Sequence, residues 1–156
     1  KSWTTITLDL NTMNVTSENI LAYNTNLDNL MVSLKEKNKV NSAICLANMY
    51  SLIPKYTNEI SSDTAKSKLE NVKSNIIFAY SIVETDRWDD VLKLLGQAET
   101  DLTELMTMKE NLSTMKKPKI NKAYVLLKEL IKSSNDKNVD IFYLKYINLI
   151  EELDNL

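Results

Sequence analysis

The chain has 156 residues, 44% hydrophobic and 26% charged, with a formal net charge of -2; that length supports one domain with a proper core, and that charge gives no global pull toward nucleic acid. There is no histidine, which removes the commonest general base, the usual triad partner and the commonest zinc or haem ligand. One glycine and two prolines exclude a glycine-rich phosphate loop and a loop-rich β protein, and suit long helices.

Residues 1–16 are polar and threonine-rich, with Trp3, Ile6 and Leu8 in weak alternation. They read as a short extended arm, or as a leader from an upstream anchor, since the sequence starts at Lys1 rather than at methionine. Residues 17–156 read as one helical-bundle domain. The first helix is predicted over 17–37, capped by Thr16 or Ser17, with Ile20, Tyr23, Leu27, Leu30 and Leu34 as its apolar stripe.

The second helix covers 39–60, with Ala43, Leu46, Ala47, Tyr50 and Ile53 on one face. Cys45 lies in its apolar run and reads as a buried, inert thiol. Pro54 removes a backbone donor and clashes with the preceding turn, so a kink or break is expected near Leu52. A groove uncovered by that kink, at Pro54 and Tyr56, is the expected docking place for a partner helix.

Residues 63–84 and 87–114 form a central antiparallel hairpin. Leu69, Val72, Ile76, Ala79 and Val83 face Trp88, Val91, Leu95, Ala98, Leu102, Leu105 and Leu112, all at steps of three and four. Asp86 is expected to cap the second of these helices, and Gly96 to mark a close crossing by a neighbour. Arg87 and Trp88 are candidate interface anchors, although the seam position of Trp88 favours core packing. Glu84, Asp86, Asp89 and Asp90 cluster at the turn, but without the glycine and alternating acids of a calcium loop.

The fifth and sixth helices, 118–134 and from Asn138 onward, form a C-terminal hairpin over 118–156. Their stripes are Ile120, Ala123, Leu127, Leu130 and Ile131, and Val139, Phe142, Tyr146, Leu149 and Leu153. Lys119 and Lys122 sit at a helix N-terminus, where cations are unfavourable. Together with Lys116 and Lys117 they make a candidate patch for an anionic lipid or wall polymer. Glu151, Glu152 and Asp154 are equally misplaced at a C-terminal end, which is expected to fray. Tyr50, Tyr56, Tyr143 and Tyr146 lie on or beside stripes, as core residues with a wet hydroxyl.

Six one-sided stripes with short connections predict an all-α, antiparallel up-and-down bundle. A tetratricopeptide-like array is the alternative, but its signature positions do not recur at a period of about 34 residues. No catalytic residue, cofactor or metal ligand set can be nominated.

The runs Ala47-Asn48-Met49-Tyr50-Ser51-Leu52-Ile53-Pro54 and Arg87-Trp88-Asp89-Asp90-Val91 resemble those of a group of clostridial extracytoplasmic helical proteins. These are often predicted lipoproteins, and no reaction is assigned to the group. The resemblance covers about 40–112 and implies export, with peripheral or lipid-anchored association at the outer face of the cell membrane. The expected function is a non-enzymatic interaction or scaffold domain for a protein partner. A sensor-type bundle binding a small ligand and a tetratricopeptide-like module are the alternatives.

Overall fold

A computed structural model describes residues 3–13, 15–60, 63–108 and 117–156. The described residues form eight α-helices and no strand. They are α1 (Trp3–Thr12), α2 (Ser17–Lys35), α3 (Lys39–Tyr50), α4 (Leu52–Ile60), α5 (Thr64–Ile82), α6 (Trp88–Thr107), α7 (Lys117–Asn135) and α8 (Val139–Asp154). A single 3-10 turn, Val83–Thr85, follows α5. The protein is an all-α helical bundle.

The core lies between α5, α6, α7 and α8. Val72, Ile76 and Ala79 meet Val91, Leu95, Ala98 and Leu102 across the central hairpin. Leu127, Leu130, Phe142 and Leu149 close the other side. Burying a leucine, isoleucine or phenylalanine side chain contributes about 1.5–3 kcal/mol, so this seam dominates the stability. A polar residue in place of Leu95, which is fully buried, would break it. α5 is the central helix and packs on α3, α4, α6 and α8.

The expected break near Leu52 is present. Ser51 N–H makes the last bond of α3, to Ala47 O at 2.9 Å, and α4 begins at Leu52. Pro54 then falls in the first turn of α4, where no amide donor is required. Trp88 is buried, as its seam position predicts. Leu112 and Lys116 lie outside the described residues.

Several expectations need correction. The N-terminal segment is helical rather than extended: Ile6 and Leu10 are one turn apart, and the Val15 N–H closes the helix end on Leu10 O at 3.1 Å, burying Val15. Asp86 does not cap α6. It takes the left-handed conformation (φ 59°), and Arg87 occupies the N-cap position without a side-chain capping bond. Gly96 is exposed, and a methyl group built on it meets nothing within 4 Å among the described residues, so none of them crosses closely there. The end of α8 is helical through Asp154 and is held by ion pairs.

One turn recurs. Residues 33–38 and 133–138 share the pattern Ser-x-x-acid-Lys-Asn. In both, the lysine is left-handed (Lys37 φ 55°, Lys137 φ 50°). The asparagine N–H reaches back to Ser33 O at 2.9 Å or Ser133 O at 3.2 Å. The asparagine side chain then caps the next helix, accepting from Asn41 N or Ile141 N at 3.0 Å. This is a Schellman stop fused to an N-cap. It folds α2 onto α3 and α7 onto α8 as equivalent hairpins flanking the central one.

Candidate functional site

α3 and α8 both lie against α5 and run parallel to each other. Two polar bridges fix their separation. At one end, Lys39 at the start of α3 pairs with Glu84 at 2.8 Å, and the Tyr143 hydroxyl of α8 donates to the same carboxylate. At the other end, the Tyr50 hydroxyl of α3 donates to Glu70 Oε2 at 3.0 Å. Lys73, one turn further along α5, pairs with Asp154 of α8 at 2.9 Å.

Between the bridges lies an open groove of about 620 Å³. Ile77 and Tyr80 of α5 form its floor. Ala43, Leu46, Ala47 and Tyr50 of α3 form one wall, and Tyr146 of α8 stands opposite. Leu34 and Lys37, from the end of α2 and its turn, complete the mouth together with Lys39. Leu34 and Leu46 occupy stripe positions yet are 60% and 53% exposed. The stripes of α2 and α3 carry more apolar surface than the core can cover.

The tyrosines are packed as a group. Tyr80 stacks on Tyr146 with ring centroids 4.4 Å apart and 22° between planes, and meets Tyr143 at 5.4 Å. Burial, with Tyr80 and Asp154 nearby, pushes the Tyr146 hydroxyl up to about 12. Burial and the neighbouring Glu70 carboxylate push Tyr50 still higher. Burial and the hydrogen bond to Glu84 do the same for Tyr143. Glu84 is held below the usual carboxylate range by the hydrogen bonds from Lys39 and Tyr143. Near neutral pH these three tyrosines are therefore uncharged. They offer ring faces and hydroxyls, not a base.

The candidate residues from the sequence do not converge. Pro54 is buried, and the half-buried Tyr56 donates its hydroxyl to Asn19 O at 3.0 Å, so Tyr56 serves the seam between α2 and α4. Arg87 is exposed at the far side of the central turn and binds Asp90 at 2.7 Å. Lys119 donates to Asn155 O at 3.1 Å and Lys122 pairs with Glu152, so these two bind α8. Lys117 opens α7, and Lys116 lies outside the described residues. Among the described residues no group of three or more acidic or cysteine side chains is placed to hold a metal ion. Cys45 is buried.

The groove itself was missed in the sequence. Its signal was present in part, since Tyr50 and Tyr146 stand on stripes, but Tyr80 lies on the flank of one. No known protein family, curated protein or solved structure matches the chain. The functional reading therefore rests on this geometry.

Proposed function

We propose that the protein is a non-enzymatic binding module whose groove between α3, α5 and α8 holds the apolar body of a small ligand. The observation that carries this is the groove: about 620 Å³, walled by alanine, leucine and stacked tyrosine, and held at fixed width by a polar bridge at each end. Ligand sites are typically concave, mostly apolar, about 300–1,000 Å³ and furnished with a few polar groups. The neutral tyrosines and the absence of histidine favour binding over proton transfer.

An NMR titration of the whole chain with decanol tests this. The expected result is a saturable shift of the Leu46, Tyr80 and Tyr146 signals, lost in Leu46→Asp; the position is exposed, so the helical spectrum of that variant should be unchanged. Shifts spread over the surface, or unchanged binding by Leu46→Asp, would refute the reading.

A protein partner is the second reading. Its support is the outer face of α8, where Ile141, Leu144 and Ile147 are exposed together. Concentration-dependent sedimentation that is abolished by Leu144→Glu would favour it. The resemblance to exported clostridial proteins supports a position outside the cytoplasm. Among the described residues no helix is long and apolar enough to cross a membrane.

A further inference from the structure

We infer that the occupant of the groove is a free single-chain amphiphilic anion, its carboxylate at Lys37 and its tail along Leu46, Tyr80 and Tyr146. This rests on the binding reading above and adds the sign and the position of the ligand's charge. Lys37 and Lys39 line the groove, and among the described residues no aspartate or glutamate does. The two cations differ. Lys39 is already matched by Glu84 at 2.8 Å. Lys37 has no carboxylate at ion-pair distance among the described residues.

Lys37 is also held in place. Its N–H donates to Leu34 O at 3.1 Å, and the next N–H donates to Ser33 O at 2.9 Å. Its left-handed backbone (φ 55°) therefore fixes the direction in which the side chain leaves the chain. The turn is not itself the site, because Lys137 repeats it. What distinguishes Lys37 is the apolar wall beside it, formed by the exposed Leu34 and Leu46. Two residues along the same turn, Lys39 already neutralises Glu84. One charged head at Lys37 and one uncharged tail over the tyrosines therefore match the groove. A second charge on the ligand would have no partner.

Calorimetry on the intact chain decides the matter, with decanoate, decanol and decyltrimethylammonium, each below micelle formation, and phosphatidylglycerol vesicles as a fourth arm. Decanoate is expected to bind at one site about fivefold tighter than decanol, the range of an exposed ion pair. The ammonium compound is expected to bind weakest, and added salt to narrow the gap. Lys37→Gln should bring decanoate down to the affinity of decanol without changing decanol itself. Lys37→Arg should keep the preference.

Equal affinity for the three amphiphiles, or an unchanged preference in Lys37→Gln, would overturn the anion and leave the groove reading standing. No saturable binding by any amphiphile would remove both. Binding to the vesicles alone would also remove both, and would assign the face to an anionic bilayer.

Discussion

Lys122 on α7 pairs with Glu152 on α8, an acid misplaced with respect to its own helix. Lys122 lies in the second turn of α7, and Glu152 in the last turn of α8, where the helix dipole disfavours a negative charge. Antiparallel packing brings the start of α7 beside the end of α8, so each charge meets the opposite terminus. Lys119, bonded to the Asn155 carbonyl, follows the same logic. Glu152 is buried and Lys122 is largely exposed. Removing the lysine strands a buried carboxylate, which costs more than neutralising the acid. Lys122→Met is therefore expected to destabilise by about 1 kcal/mol and Glu152→Gln by less. Urea unfolding of the two variants gives the comparison, and equal losses would contradict this account.

Gly96 interrupts α6 at an exposed position, and a methyl group there meets nothing within 4 Å among the described residues. Nothing in the packing offsets the backbone freedom glycine brings to the unfolded chain. Gly96→Ala should stabilise by about 1 kcal/mol. An unchanged or lower melting temperature would show that the site needs flexibility for another reason.

The four core helices were legible because Val72, Ile76, Val91, Leu95, Leu127 and Leu149 repeat at helical spacing, and all are fully buried. The stripes of α2 and α3 look the same in sequence, but Leu34 and Leu46 end in a groove. Periodicity reports which side a residue faces. It does not report whether a neighbour arrives to cover it. Tyr80 joins the groove from the flank of the α5 stripe, beside Ala79, where spacing does not separate core from groove. The lysine and acid pairs of α7 and α8 looked like defects because a dipole argument within one helix cannot see the adjacent terminus. The helical α1 was hidden by threonines, which are poor helix formers.

The left-handed turns carry a cost that can be recovered. Lys37 and Lys137 hold φ values of 55° and 50°, where a side chain is strained and glycine is not. Lys137→Gly should stabilise by about 0.5–1 kcal/mol, and Lys37→Gly by a similar amount. Asp86, at φ 59°, should gain less, because aspartate tolerates this conformation better. The two lysine substitutions share no partner and should add. Thermal unfolding of both single variants and the double variant checks this; a loss in either would place the lysine side chain in a contact beyond the turn.

Stability should be flat near neutrality and fall at both extremes. Glu84, Glu99 and Glu129 are held below the usual carboxylate range, chiefly by hydrogen bonds from Lys39, Lys128 and Lys145. A depressed folded-state value stabilises above the unfolded one, and that gain is lost as pH falls through the folded value. Asp101 is raised by burial and has the opposite sign, so it offsets part of the acid loss. Lys39, Lys68 and Lys128 are raised by hydrogen bonds to Glu84, Glu104 and Glu99. Their contribution is full below the ordinary lysine value and is lost as pH rises through the raised one. No histidine titrates between these windows. The melting temperature should hold level from about pH 6 to 9 and decline outside it. A step near pH 6.5 would contradict this account and point to a carboxyl raised by burial, Asp101 first.

Glu59 of α4 acts as a clamp on the start of α2. Its carboxylate accepts from Thr16 N–H at 3.0 Å, from the Thr16 hydroxyl at 3.1 Å and from Asn19 Nδ2 at 2.7 Å. The Tyr56 hydroxyl, one turn earlier, donates to Asn19 O at 3.0 Å. A negative charge at a helix N-terminus is favoured, and a charge-assisted hydrogen bond is stronger than a neutral one. The break at Ser51 turns α4 so that this carboxylate reaches α2, which an unbroken helix through Pro54 would not do. Glu59→Ala should cost about 1–2 kcal/mol, and Tyr56→Phe about 1 kcal/mol. The two act on one helix end, so the double variant should lose less than the sum. Hydrogen exchange localises the effect: faster exchange at residues 17–20 with the central hairpin unchanged is the expected pattern, and uniform acceleration would mean that α4 supports the whole bundle instead.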